Sequence, residues 1–257
     1  MGPSTQSVVV LKIGGNQVED PEFLAGFVAA VKTLCSSYAL IIVHGGGKEI
    51  AELHDRFGVP FETVQGLRAT SNASMPLVEM ALNGAVNTRL VAWLVNGGVD
   101  ALGLSGVDLG LVRVQPMVVP GHDLGRVGRV TSVNEEALWQ LLALHVVPVI
   151  SPVSLGHDGL TYNVNADHVA TALATAVEAA RLVFVTNVPG VQVAGRTVRA
   201  LVPAQVEDLI ARGIVSGGMI PKVRSATDAV AGGVRQAVIT DLAGLAKEEG
   251  TAVLREA

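Results

Sequence analysis

The sequence predicts an α/β protein: an open, mainly parallel sheet sandwiched between helix layers. Three observations carry this. Apolar strand-like runs alternate with helical patterns along the 257 residues, an order that gives parallel strands with helical crossovers. Apolar residues make up 49% and charged residues 16%, which suits strands buried on both faces. Two glycine turns each follow an apolar run directly, Val8-Val9-Val10-Leu11-Lys12-Ile13-Gly14-Gly15 and Leu40-Ile41-Ile42-Val43-His44-Gly45-Gly46-Gly47. A glycine turn after a buried strand lets bare backbone N–H groups close around an anion, and a following helix N-terminus adds its dipole.

Taken in order, the strands are expected at Ser7 to Ile13, Ala39 to Val43, Val99 to Leu104, Val146 to Ile150, Leu182 to Thr186 and Gln236 to Ile239. Helices are expected at Pro21 to Ser36, Gly47 to Phe57, Ala73 to Asn96, Glu135 to His145, Ala166 to Ala180, Pro203 to Arg212, Ile220 to Gly232 and Asp241 to Glu249. Ser132-x-x-Glu135 reads as a capping box, and Pro203 and Pro221 fall in first helical turns, which tolerate proline. The polar interval from Ser105 to Arg129 reads as short antiparallel ribbons. There is no internal repeat and no low-complexity linker, so two lobes, 1–180 and 181–257, are expected to pack closely, with a seam near Ala179–Arg181.

Several classes are disfavoured. Uncharged stretches such as Ala69 to Leu77 are too short or too polar to span a bilayer. Met1 to Ser7 lacks a basic segment leading into an apolar one, so no secretory leader is expected. The net charge of −5 and the lack of a basic run argue against a nucleic-acid surface. The single cysteine, Cys35, forms no intrachain disulfide and belongs to the core face of the first helix. A cytoplasmic enzyme is the expectation. No Walker A loop, G-x-G-x-x-G turn or serine nucleophile elbow occurs. His44 sits at a strand end, and His54, His122, His145, His157 and His168 show no metal-ligand spacing.

Lys12 stands near the carboxyl end of an otherwise apolar strand, where an open parallel sheet binds its ligands; an edge lysine snorkelling outward is the alternative. Lys222 follows Pro221 in a first helical turn, where a cation opposes the helix dipole, after the flexible Ser216-Gly217-Gly218-Met219. A solvated surface lysine would look the same. In Asn163-Val164-Asn165-Ala166-Asp167, Asn165 and Asp167 are explained by capping, but Asn163 is not. Were two lysines to converge on a phosphoryl group, a carboxylate between them would orient both and keep them charged. Arg68 in Gly66-Leu67-Arg68-Ala69-Thr70 could clamp a small carboxylate; a surface arginine reads equally well. Thr186-Asn187-Val188-Pro189-Gly190-Val191 is a turn at a strand carboxyl end, suited to a nucleotide. Trp93 and Leu90 belong to a long amphipathic helix and serve packing or a subunit contact.

Taken together, Lys12-Ile13-Gly14-Gly15, His44-Gly45-Gly46-Gly47, Gly66-Leu67-Arg68, Asn163 to Asp167 and Gly218-Met219-Ile220-Pro221-Lys222 resemble the amino-acid kinase family, and within it the members acting on N-acetylglutamate. The match is ordered and runs nearly end to end. It implies an N-terminal lobe for the acyl amino acid and dimerisation, and a C-terminal lobe for ATP. By that resemblance Lys12 and Lys222 stabilise the transferring phosphoryl group and Asp167 organises them. Gly45, Gly46, Arg68 and Asn163 hold N-acetyl-L-glutamate. Gly14 and Gly15 approach the phosphates, while Thr186, Asn187, Val188, Pro189, Gly190 and Val191 line the nucleotide pocket with Ile214, Val215 and Ser216. Mg²⁺ is expected mainly on phosphates and water, with no protein metal cage.

Ala69 replaces a valine common in the family, and His168 replaces a glutamine. The chain begins a few residues before its first strand, without the N-terminal helix that arginine-inhibited hexamers carry. The expectation is therefore an arginine-insensitive homodimer assembled through the helix Ala73 to Asn96. A carrier-linked aminoadipate or glutamate kinase should dock an acidic carrier on a basic surface, which this chain lacks. A non-catalytic sensor has no need of Lys12, Lys222 and Asp167, and an oxidoreductase would want a ribose-binding acid.

Overall fold

The computed structural model describes residues 6–255; the expectation that Met1 to Ser7 carries no leader falls mostly outside them. The strands are β1 (Val8–Ile13), β2 (Ala39–His44), β3 (Thr63–Val64), β4 (Leu67–Arg68), β5 (Ala101–Gly106), β6 (Val112–Pro116), β7 (Gly128–Val133), β8 (Val147–Gly156), β9 (Thr161–Asn163), β10 (Arg181–Val185), β11 (Gln192–Val193), β12 (Arg196–Thr197), β13 (Ala200–Leu201), β14 (Gln236–Thr240) and β15 (Thr251–Leu254). The helices are α1 (Pro21–Leu34), α2 (Gly47–Phe57), α3 (Met75–Glu79), α4 (Thr88–Asn96), α5 (Glu135–Ala143), α6 (Ala166–Ala176), α7 (Pro203–Ala211), α8 (Met219–Ala231) and α9 (Leu242–Lys247).

An 11-stranded sheet runs in the order β13-β15-β14-β10-β1-β2-β8-β6-β7, with β5 and β9 also paired to β8. The strands around β1 are parallel: β10, β1, β2 and the first half of β8 run together. Within this sheet antiparallel pairing is confined, among the described residues, to β14 with β15, β6 with β7, and β8 with β9; β3 with β4 and β11 with β12 form two small antiparallel ribbons apart from it. The ribbons expected between Ser105 and Arg129 are thus present in part, as β6 against β7.

Alternation along the central strands decides what each residue meets, because successive side chains point to opposite faces. Val8 and Val10 of β1 and Ile41 and Val43 of β2 join one core with Val169, Ala170 and Leu173 of α6 and Val223 and Ala226 of α8. Val9, Leu11 and Ile13, with Leu40 and Ile42, join the other, with Phe27 and Val31 of α1 and Leu90 and Leu94 of α4. Each fully buried Val, Leu, Ile or Phe among these contributes roughly 1.5–3 kcal/mol over an exposed one. Lys12 has the parity of Val8 and Val10, so it faces α6. His44 has the parity of Ile42, so it faces the opposite layer. The sequence pattern thereby fixes which helix each polar residue addresses.

Two expectations need correction. Ser132 caps nothing: it lies within β7, and the N-cap of α5 is Asn134, whose side chain accepts from Ala137 N–H. An asparagine next to the helix outcompetes a serine that pairing has already drawn into the sheet. The expected helix Ala73 to Asn96 is helical from Met75, and its middle, Met80–Asn87, is a π-helix between α3 and α4. The expected strands and remaining helices are present, with ends displaced by a few residues, as at Val99 to Leu104, which becomes Ala101–Gly106.

Candidate active site

Lys12 and Asp167 meet where the carboxyl end of β1 faces the first turn of α6. Asn165 caps that helix, its side chain accepting from Asp167 N–H at 2.8 Å. The cap turns the chain so that Asp167 points at the sheet. Lys12 Nζ lies 2.8 Å from Asp167 Oδ1. Lys222 Nζ, from the first turn of α8, lies 3.5 Å from Asp167 Oδ2. One carboxylate therefore separates two ammonium groups.

Their electrostatics follow from burial and proximity. Burial pushes Asp167 up, but the two lysines outweigh it and hold the carboxyl below its ordinary range. Burial is the main reason the Lys12 ammonium is held below its ordinary value; Asp167 opposes that and Lys222 adds to it. Lys12 is thus a desolvated cation that keeps its charge through its partner.

The two glycine turns form one structure. Gly45 N–H donates to Ile13 C=O at 3.0 Å, and a Cβ on Gly15 would stand 2.6 Å from Gly46 Cα. Only glycine lets the backbones approach so closely. Gly46 is the N-cap of α2 and makes no side-chain cap, leaving the N-terminal N–H groups of that helix for the cleft. Gly14 behaves differently, since its N–H already donates to Gln17 Oε1 at 3.1 Å.

A cleft of about 340 Å³ gathers Lys12, Gly15, Gly45, Gly46, Arg68, Asn163 and Asp167. Ile50, Leu67, Leu82, Val127 and Val164 give it an apolar wall. Arg68 enters from β4. Its guanidinium lies over the Phe61 ring at 3.9 Å, and Nη2 donates to Gly47 C=O at 2.9 Å. Nη1 is buried with no hydrogen-bond partner. A buried donor left unpaired is costly unless something fills it, so Nη1 marks a place for an anion. Thr70, fully buried behind the lining, ties Arg68 to Asn163: its hydroxyl donates to Arg68 C=O at 2.9 Å and accepts from Asn163 Nδ2 at 3.0 Å.

The remaining expected residues do not line this cleft. Lys222 reaches it through Asp167. Thr186 lies one residue beyond Val185, which pairs with Ile13, so it stands beside Gly14 at the same sheet edge. Thr186 N–H donates to Thr240 C=O, and its hydroxyl accepts from Val188 N–H. Asn187 to Val191 continue that turn, with Gly190 at φ 143°. Ile214 to Ser216 form the approach to α8. A larger cavity, about 600 Å³, lies between the sheet and α9; of the expected residues only Pro189 lines it. His168 is exposed beside Asp167. Cys35 is half-buried and its thiol is pushed up by burial.

Sequence reasoning missed Thr70 and Phe61. Thr70 is legible only as the end of a motif, and nothing in the sequence brings Phe61 back onto Arg68.

The model of the amino acid kinase family matches residues 7–241. A protein named acetylglutamate kinase from Chloroflexus aurantiacus is 54% identical over 240 residues, covering 93% of this chain and 94% of that one. One of the same name from Roseiflexus castenholzii is 50% identical, covering 98% and 96%. Among solved structures, smu.665 from Streptococcus mutans UA159 superposes with a TM-score of 0.84 at 32% identity, covering 96% of this chain and 98% of that one. With its paired lysines, joined glycine turns and near end-to-end relatives, the chain belongs to the amino acid kinase family.

Proposed function

We infer that this chain transfers the γ-phosphoryl group of ATP to the γ-carboxylate of N-acetyl-L-glutamate, giving N-acetylglutamyl 5-phosphate for arginine biosynthesis. The observation that carries the reading is the Lys12–Asp167–Lys222 cluster, in a chain sharing 54% identity with an acetylglutamate kinase across nearly its whole length. Arg68 Nη1 and the Gly45 and Gly46 backbone fit a substrate bearing carboxylates, and the apolar wall fits an acetyl methyl group.

The chemistry follows from charge. The substrate carboxylate is ionised at neutral pH and is itself the nucleophile, so no general base is needed. Catalysis reduces to in-line positioning and neutralisation of charge on the phosphoryl oxygens. Lys12 and Lys222 supply the cations, Gly15 a backbone N–H, and Asp167 lies between the two ammonium groups and offsets their mutual repulsion. Among the described residues no group of three His, Cys, Asp or Glu could hold a metal, and Asp167 is already engaged by both lysines. Mg²⁺ would therefore ride on phosphate oxygens and water, where it neutralises charge.

Residues 1–180 would hold the acyl amino acid, while 181–257, through Thr186 to Val191 and Ile214 to Ser216, would hold the nucleotide. The position of Thr186 beside Gly14 supports this division. The exposed Met80 and Val95 on the α3–α4 span, 46% and 54% accessible, support a homodimer formed there. No helix among the described residues is long and apolar enough to cross a membrane. The inferred ATP-dependent biosynthetic step would take place in the cytoplasm.

Trapping the acyl phosphate with hydroxylamine, with ATP and either N-acetylglutamate or N-acetylaminoadipate, tests the function. Hydroxamate from N-acetylglutamate is expected; none from either would refute it.

A further inference from the structure

His44 is wholly buried and ends β2 immediately before the glycine turn. By parity it faces the π-helical segment, whose last residue, Asn87, reaches it. Nε2 of His44 lies 3.0 Å from Asn87 Nδ2, and Nδ1 lies 3.1 Å from Gly45 C=O. Asn87 Nδ2 also lies 2.9 Å from Val149 C=O and 3.3 Å from Leu104 C=O.

These contacts settle the direction of each bond. Carbonyl oxygens only accept, so the Asn87 atom facing them is the amide nitrogen and donates. His44 Nε2 must then accept, which leaves the single proton of a neutral ring on Nδ1, donating to Gly45 C=O. Burial pushes this imidazole down to about 4, so it stays neutral. Gly45 N–H is tied to Ile13 C=O on the other side. In a planar trans peptide the C=O and the following N–H point in opposite directions. Holding Gly45 C=O against the imidazole therefore turns Gly46 N–H away from the ring, toward the cleft that Gly46 lines. From the same segment, Leu82 and Val86 stand where a Gly46 Cβ would be, at 2.6 and 3.0 Å.

We propose that His44 is a positioning residue for the substrate cleft, fixing the Gly45–Gly46 peptide so that Gly46 N–H is presented to the bound carboxylate compound, and that Asn87 sets its tautomer. The proposal rests on reading this cleft as the N-acetylglutamate site. It gives the π-helix a role, since the wider turn delivers an asparagine amide between three acceptors at the sheet edge. π-Turns recur at functional sites.

Two substitutions separate positioning from packing. The shorter amide of His44→Asn can place a donor where Nδ1 stands. The longer one of His44→Gln can place an acceptor before Asn87 but leaves Gly45 C=O without its donor. His44→Asn should keep KM for N-acetylglutamate within about threefold, and His44→Gln should raise it at least tenfold, with KM for ATP within about twofold in both. Equal effects of the two, or an unchanged KM in His44→Gln, would overturn the proposal. Should either variant fail to fold, the wild-type protein decides by ¹⁵N NMR. Nδ1 protonated and Nε2 bare at pH 7, with the Gly46 amide resonance displaced by N-acetylglutamate, is expected. A proton on Nε2, or an unmoved Gly46 amide when other cleft amides shift, overturns it. If wild-type protein forms no hydroxamate and N-acetylglutamate moves no cleft amide, the functional reading fails separately, and the proposed presentation to that substrate falls with it.

Discussion

Lys12 Nζ and Asp167 Oδ1 stand 2.8 Å apart with side chains only 9% and 7% exposed, and Lys222 closes on the other carboxylate oxygen. Replacing the carboxylate by a neutral amide leaves two cations facing each other with no negative charge between them. Asp167→Asn should lower kcat by about 100-fold or more, in the range seen when one preorganised charge-stabilising group is lost. It should also cost about 3 kcal/mol of stability, the low end for a broken buried pair, because Lys12 can shed its proton. Steady-state kinetics with chemical denaturation checks both; unchanged kcat would remove Asp167 from the site.

Lys222→Ala tests chemistry against binding. Its ammonium meets Asp167 Oδ2 at 3.5 Å and lies outside the cleft lining. We expect kcat to fall about 100-fold or more while KM for N-acetylglutamate stays within about twofold, the pattern of an interaction made only in the transition state. Loss of affinity alone would instead place Lys222 in binding.

Arg68 is held on two sides, by the Phe61 ring and by Gly47 C=O, with Nη1 left unpaired. A lysine cannot reproduce a fork that stacks, donates backward and donates forward together. Arg68→Lys should raise KM for N-acetylglutamate by about 10-fold or more and leave KM for ATP unchanged. Phe61→Leu, which removes only the platform, should give a smaller shift of the same sign. Initial-rate kinetics over both substrates distinguishes these outcomes from a general loss of fold.

The lowered values of Lys12 and Asp167 set opposite limbs of the pH response. Asp167 titrates below its ordinary range in the folded state, so its contribution is present above about pH 4, near the unfolded value, and is lost as pH falls through the folded value. Lys12 is lowered from 10.5, chiefly by burial. Between its folded value and 10.5 the unfolded chain binds the extra proton, so stability from this group rises with pH while the catalytic cation disappears. We expect kcat/KM, which reports the free enzyme, to fall along an alkaline limb with a midpoint below 10.5, while the stability of wild type relative to Lys12→Met increases over the same window. Parallel kcat/KM and Tm profiles measure this; a midpoint at or above 10.5 would contradict it.

Legibility in the sequence follows the range of the interaction. The facing of Lys12 toward α6 is a period-2 consequence of Val8 to Ile13, and the Asn165 cap that aims Asp167 is local, so both are readable. The π-helix is not, because i→i+5 bonding leaves no distinct period in eight residues, and Asn87 looks like one more helical polar residue. His44 reads as a bland strand end because the partner of its Nε2, Asn87, is 43 residues away. Ser132 misleads because pairing in β7 overrides a local capping pattern. Nor can any local signal show that the two glycine turns touch, although each is plain on its own.

That contact yields the sharpest substitution. A Cβ on Gly15 would lie 2.6 Å from Gly46 Cα, 2.7 Å from Gly46 N and 2.9 Å from Gly47 N. All three are backbone atoms, so no side chain can swing aside and the turns themselves must separate. Overpacking of this kind costs about 1–3 kcal/mol, but the displacement falls on the amides that face the cleft, so activity should suffer more than stability. Gly15→Ala is expected to lower kcat/KM by about 100-fold or more, since misplacement of about 1 Å suffices for that. Gly47→Ala supplies the control for stability: it lies in the same turn, begins α2 and has nothing within 4 Å of its added Cβ. It should be neutral or slightly stabilising, because alanine suits a helix better than glycine. Melting temperatures and kcat/KM for the pair decide the matter, and a Gly15→Ala enzyme of normal activity would mean that the close approach of the turns is not what shapes the site.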